Sequence, residues 1–209
     1  MTGIPDIAPY RVPSATELPP VQVSWQVDWN RAVLLVHDMQ QHFVRSFPAD
    51  DEPLRTTVAN IARLRHRCRR AGAPVVYSVQ PPGQTFDQRG LLADFWGAGI
   101  QDDAGAAVID ALEPGAEDTL MTKWRYSAFH RTRLAQLLRE SGRDQLVVCG
   151  VYAHIGVQET AADAFMHDVR PFVAGDAVAD FSRREHDTAL SYLAARCAVV
   201  AATDDLLRD

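Results

Sequence analysis

The stretch VLLVHDMQ, Val33 to Gln40, decides the fold: an unbroken apolar run closes on a histidine, an acid, a methionine and a glutamine. Such a run reads as a buried strand whose carboxyl end delivers Asp38 to the rim between core and cleft. Working outward, five more short apolar runs, at 75–79, 119–122, 145–150, 171–174 and 197–201, join the first at 32–37 as candidate strands. Longer segments of helical period separate them. Residues 54–71 set Val58, Ile61, Leu64 and Cys68 on one face, and 131–140 gather Leu134, Leu137 and Leu138. Segments 161–167 and 185–195 supply two further helices, and Gly72 and Gly142 stand where C-caps belong. Strand and helix alternate throughout, which predicts an α/β fold with a parallel sheet of about six strands.

A chain of 209 residues with 47% hydrophobic content can bury one large core, so a single domain over 1–209 is expected, with a proline-rich arm over about residues 1–25. The net charge of −6 argues against a nucleic-acid partner, which needs a concentrated positive surface. Cys68, Cys149 and Cys197 are odd in number and far apart, as reduced thiols in a cytosol are. The arm has no apolar core of a signal peptide or membrane span, and a cytoplasmic protein with no membrane partner is expected.

In an open parallel sheet a ligand binds beyond the carboxyl ends of the strands. Those ends carry Asp38, Gln80, Lys123 and the turn from Tyr152 to Gly156, so four segments are expected to meet around one pocket for a small molecule. Alone, Asp38 reads first as a helix N-cap, and Lys123 has an ordinary salt bridge as its alternative reading. Together they make an acid/base or anion-binding pair. Trp124, Arg125, Tyr126 and Phe129 follow Lys123 directly, and rings beside a guanidinium suit a planar or cyclic anion, although Trp124 or Phe129 can equally be core. The long connection at 81–118 is read as a wall over the site, with a short helix at 108–112 and with Arg89, Phe95 and Trp96 as contributors.

His37 is expected on the opposite side of its strand from Asp38. His37, Asp38 and His42 lie close in sequence, but no D-x-H or H-x-x-x-H spacing appears at a second site, so no metal centre is expected. His154 is expected to hold its turn through hydrogen bonds. Among Arg63, Arg65, Arg67, Arg69 and Arg70, only Arg63, Arg67 and Arg70 share a helix face, which reads as solvated. Cys149 reads as core.

VLLVHDMQ, TKWRYSAF (122–129), CGVYAHIGV (149–157) and DAVADFS (176–182) together resemble the isochorismatase-like hydrolases, over a region from about Ile4 to the end of the chain. The likeness is greatest to the isochorismatases of siderophore pathways and to the phenazine-type enzymes that act on 2-amino-2-deoxyisochorismate. The resemblance implies a three-layer α/β/α, Rossmann-like fold and a cofactor-free enzyme. Its substrate would be a chorismate-derived dicarboxylate, isochorismate or the amino analogue, whose enolpyruvyl ether is hydrolysed to release pyruvate. It also implies Asp38 as catalytic acid and Lys123 as its partner, with Gln80, Arg89, Tyr126 and Tyr152 lining the substrate pocket; Trp96 from the wall and Gly156 from the turn complete the expected substrate-binding set.

The amidase branch of the family carries a nucleophilic cysteine where this chain has Gly156, and a metal site where it has Gln80-Pro81-Pro82. Covalent amide hydrolysis is therefore not expected. No aryl carrier domain is expected after Asp209. Relatives of this kind are usually oligomers, so a homodimer or higher homo-oligomer is expected, supported by the arm and by an exposed 172–178 region. The competing reading is a catalytically silent scaffold in a biosynthetic complex.

Overall fold

The computed structural model describes residues 3–208. Six strands, β1 (Ala32–His37), β2 (Val75–Val79), β3 (Thr119–Thr122), β4 (Gln145–Val151), β5 (Arg170–Ala179) and β6 (Val199–Ala201), form one sheet in the order β3-β2-β1-β4-β5-β6. Every neighbouring pair is parallel. The order reverses at β1, the first strand in the chain. Its neighbours β2 and β4 diverge there, and the crevice at such a switch point is where ligands bind.

Helices cover both faces: α1 (Gln41–Val44), α2 (Leu54–Ala71), α3 (Phe86–Arg89), α4 (Leu92–Trp96), α5 (Asp103–Ala106), α6 (Leu134–Glu140), α7 (Gln158–Met166), α8 (Arg183–Arg196) and α9 (Thr203–Leu206). The two-residue alternation of β1 explains the layers. Leu34 and Val36 join a core with Ile61, Leu64 and Cys68 of α2, whereas Val33 and Leu35 join a second core with Leu134 of α6, Ala161 of α7 and Leu190 of α8. Val33, Leu34, Leu35 and Val36 are fully buried, a contribution of about 1.5–3 kcal/mol apiece. The result is the expected three-layer α/β/α architecture.

Several boundaries shift by one to three residues from the sequence reading, and three differences matter more. The helix expected at 131–140 starts at Leu134, because Arg131 takes a left-handed conformation (φ 57°). The helix expected at 108–112 is a 3-10 turn over Asp110–Leu112, and Val108 instead bridges to Gln40. The strand expected at 171–174 runs on to Ala179 as β5, between β4 and β6. That position corrects the expectation of an exposed 172–178 region: Phe172, Val173, Ala174, Ala177 and Val178 are all fully buried. The basic string on α2 divides. Arg63 and Arg70 are exposed, while Arg65 is buried, over the Tyr77 ring and bonded to the Glu113 carbonyl. No helix among the described residues is long and apolar enough to cross a membrane.

Candidate active site

A cavity of about 660 Å³ opens beyond the carboxyl ends of β1, β2, β3 and β4, a size suited to a small-molecule ligand. Asp38, Gln80, Arg89, Trp96, Lys123, Tyr126, Tyr152 and Gly156, the eight residues singled out above, all line it. Four strand ends and one long connection thus converge, as the parallel sheet requires.

The floor is an ion pair. Lys123 Nζ lies 2.9 Å from Asp38 Oδ2 and donates to the Arg125 carbonyl at 2.7 Å. Both side chains are buried, Asp38 at 5% and Lys123 at 1% exposure. Asp38 is not a helix N-cap: it takes φ 50°, and its carboxylate turns back to accept from Ser78 Oγ at 2.7 Å and Gln80 Nε2 at 3.3 Å. Burial opposes ionisation of this carboxyl, but the Lys123 ammonium, with the Ser78 hydrogen bond, outweighs burial and holds it below its ordinary value.

The left-handed turn at Asp38 also breaks the strand alternation. His37 and Asp38 were expected on opposite sides; instead His37 Nδ1 lies 3.7 Å from Asp38 Oδ1. The His37 ring is fully buried and bonded to the Val151 carbonyl at 2.9 Å.

Gln80 links floor to wall. Its amide donates to Asp38 and its carbonyl accepts from Arg89 Nη1 at 3.3 Å. Gln40 fixes it from below, accepting from the Gln80 backbone N–H at 2.8 Å and donating to the Gln80 and Ala106 carbonyls. Arg89, only 4% exposed, donates otherwise to the Gly97 carbonyl alone, with no carboxylate partner among the described residues. Burial, then repulsion from Arg125, lowers its pKa. A guanidinium held this way, with no counter-charge, is a prepared anion site.

Aromatic rings close the rest. Trp96 Nε1 donates to Tyr126 Oη at 2.8 Å, and Tyr152 Oη donates to the Phe43 carbonyl at 2.6 Å. Phe181 meets Tyr152 edge-on with centroids 4.6 Å apart and Trp96 at 6.0 Å. The remaining aromatic and basic candidates fall elsewhere. Phe129 is core, stacked on His167, Trp124 lies under Arg131, and Arg125 donates to the Gln88 and Trp124 carbonyls. Phe95 is 68% exposed and outside the cavity. Cys149 is fully buried in β4, its thiol pushed well above the ordinary range by burial.

At Gly156 the backbone comes so close to His37 that a Cβ would lie 2.2 Å from the ring's Cε1. His154 does hold this turn: its backbone N–H donates to Asp180 Oδ2 at 2.7 Å and its ring pairs with the other carboxylate oxygen. Among the described residues no three His, Cys, Asp or Glu side chains gather as metal ligands.

Several lining residues escaped sequence reasoning: His42, Phe43 and Arg45 around α1, Phe181 after β5, and Ile4 and Asp6 from the arm, whose Ile7 N–H donates to the Ser46 carbonyl at 2.9 Å. Ser78, which lies behind the lining and donates to Asp38, was missed too, although a small hydroxyl side chain inside the run VVYSV is a signal that could have found it.

Known proteins resemble both chain and fold. Residues 32–205 match the family described as Isochorismatase domain. The "Isochorismatase" of Bacillus subtilis (strain 168) is 50% identical over 98% of this chain, which spans 66% of that protein. "Phenazine biosynthesis protein PhzD1" of Pseudomonas aeruginosa is 50% identical over 99% of this chain and 100% of its own length. Among solved structures, a cysteine hydrolase from Pseudomonas syringae pv. phaseolicola superposes with a TM-score of 0.79 at 24% identity, covering 91% of this chain and 96% of that one, a likeness of fold.

Proposed function

The chain belongs to the isochorismatase family and is an enzyme of isochorismatase type; from that premise we propose that it hydrolyses the enolpyruvyl ether of isochorismate or 2-amino-2-deoxyisochorismate, releasing pyruvate. The observation that carries this reading is the floor: a buried acid held by Lys123, Ser78 and Gln80, beside a turn whose position 156 is glycine. With no side chain at 156 to attack, the acid is left to act on an acid-labile bond.

A vinyl ether is such a bond. Asp38 in its protonated form transfers its proton to the terminal methylene carbon, leaving an oxocarbenium ion. Water adds to the ether-bearing carbon and loses a proton, and the resulting hemiketal collapses to pyruvate and the ring alcohol. In the free enzyme Asp38 is held ionised by Lys123, so the proton must be acquired with the substrate, whose two carboxylates raise the carboxyl's pKa. Arg89 and Lys123 grip substrate carboxylate, Gln80 orients the Asp38 oxygen to which it donates, and Trp96, Tyr126 and Tyr152 cover the ring.

One residue bears on which substrate is native. Asp6 is the only carboxylate besides Asp38 on the cavity wall among the described residues, and it has no hydrogen-bond or ion-pair partner there. A carboxylate at the mouth of a site for a dianion is favourable only where the substrate also carries a cation. That favours the amino compound.

The test is pyruvate release with kcat/KM for both substrates side by side, in the wild type, in Asp38→Ala and in Asp6→Asn. The amino compound is expected to be preferred, and Asp6→Asn to narrow the preference by about two- to fivefold, the worth of an exposed charge pair. Turnover of neither substrate, or full activity in Asp38→Ala, overturns the reading.

A further inference from the structure

Among the described residues His37 is the one titratable group against Asp38 and Lys123 to which the mechanism gives no task, and its surroundings are unusually determined. Its ring is fully buried. Nδ1 lies 2.9 Å from the Val151 carbonyl, at the entry to the 152–156 turn, and Nε2 lies 3.2 Å from Thr160 Oγ1 on α7. Thr160 Oγ1 in turn accepts the backbone N–H of Ala128 at 2.9 Å, in the segment that carries Lys123 and Tyr126.

These contacts fix the proton. The Val151 carbonyl can only accept, so Nδ1 must be the nitrogen that carries a hydrogen, and in a neutral ring Nε2 is then the acceptor, with the Thr160 hydroxyl as its donor. Burial, with Lys123 opposing the effect of Asp38, pushes the His37 pKa down to about 4, so the ring is neutral near pH 7. A neutral ring adds no charge beside Asp38, whose balance is left to Lys123. One imidazole thus ties together the acid strand, the lysine segment and the glycine turn. It packs so tightly on the turn that any Cβ at Gly156 would collide with it.

We propose that His37 is a positioning residue for the reaction, its ring clasped between Val151 and Thr160 so that Asp38 keeps the distance to the Gly156 turn that proton transfer to the bound enolpyruvyl group requires. The proposal rests on the ether-hydrolase reading above and deepens it. It also gives the glycine a second meaning: position 156 lacks a side chain because the His37 ring occupies that space.

Thr160 touches no part of the cavity, so Thr160→Val probes the clasp without altering its lining. The valine keeps the volume, deprives Nε2 of its donor and leaves Ala128 N–H without an acceptor. Expected are a kcat lowered about 10- to 100-fold with KM within about twofold, as for sub-ångström misplacement of an acid, and a shifted alkaline limb of the kcat–pH profile. Thr160→Ser should restore both, and imidazole nitrogen NMR of the wild type should show His37 as the neutral Nδ1–H form at pH 7. A Thr160→Val enzyme with wild-type kcat and pH profile and only a lower Tm overturns the proposal, as does an Nε2–H ring. If that variant does not fold, Gly156→Ala reads the contact from the other side: kcat should fall about tenfold or more as the methyl displaces the ring, and an unchanged kcat overturns the idea. Wild-type turnover separates the two possible failures, since a wild type silent toward both substrates refutes the reaction itself.

Discussion

The floor of the cavity and its outer wall are built on opposite electrostatic plans. On the floor, Asp38 and Lys123 neutralise each other at 2.9 Å, with Ser78, Gln80 and the Arg125 carbonyl as further partners. On the wall, Arg89 is as buried as the floor pair but answers only to a backbone carbonyl and an amide oxygen. The outer surface of the same wall leaves Phe86, Leu91 and Phe95 exposed at 74%, 78% and 68%. On the proposed reading, the closed, neutral floor holds the proton donor in place, and the cationic wall supplies the charge that the substrate's carboxylate answers. The division assigns chemistry to strand ends and recognition to the connection above them.

If the division holds, the largest loss belongs to the floor. Asp38→Asn keeps the shape and removes the proton donor, and kcat should fall about 10²–10⁴-fold with KM little changed. Because Lys123 keeps the free carboxyl ionised, the acid form dwindles about tenfold per pH unit, so kcat/KM in the wild type should fall with pH across the neutral range. The kcat plateau should extend to higher pH, since the bound carboxylates raise the same group. A kcat/KM that is flat through neutrality would remove Asp38 as the acid.

Wall substitutions should show the reverse split. Arg89→Ala is expected to lower kcat/KM about 30- to 1000-fold, mostly through KM, the range for losing one partner of a buried charged contact. Arg89→Lys should recover only part, because an ammonium cannot reproduce the fork that spans Gly97 and Gln80. If kcat alone falls, the wall shares in the chemistry and the division fails.

The smallest effect lies at the rim. Burial works against the charged His154 ring, yet its hydrogen bond to Asp180 and that residue's charge outweigh burial and raise the His154 pKa. A raised folded value means that the pair's contribution to stability is fully present below the unfolded pKa and fades as pH rises through the folded one. The Tm gap between wild type and His154→Gln should therefore be wider at pH 6 than at pH 9. A gap independent of pH would mean that the ring acts by packing against Phe181 alone.

The floor was far more legible in the sequence than the wall. A residue at the end of a buried strand has its position set by the sheet, so Asp38, Gln80, Lys123 and Gly156 could be placed from apolar runs and the topology of parallel sheets. The relation of His37 to Asp38 was misread because alternation holds only within a strand, and Asp38 leaves it with a positive φ. The buried 172–178 segment was misread because Gly175 and Asp176 interrupt an otherwise apolar run that β5 carries through. His42, Phe43, Arg45 and Asp6 had no period to follow: they reach the cavity through the short helix α1 and an arm whose path depends on tertiary hydrogen bonds such as that from Ile7 to Ser46.

Carbon protonation at the enolpyruvyl group is the central claim, and where water enters tests it most directly. In a single turnover in ¹⁸O-labelled water, the ring product should keep its original ether oxygen as an unlabelled hydroxyl, because water adds to the enolpyruvyl carbon and never to the ring. Label in the ring hydroxyl would show attack at the ring carbon and contradict Asp38 as the acid that protonates the methylene.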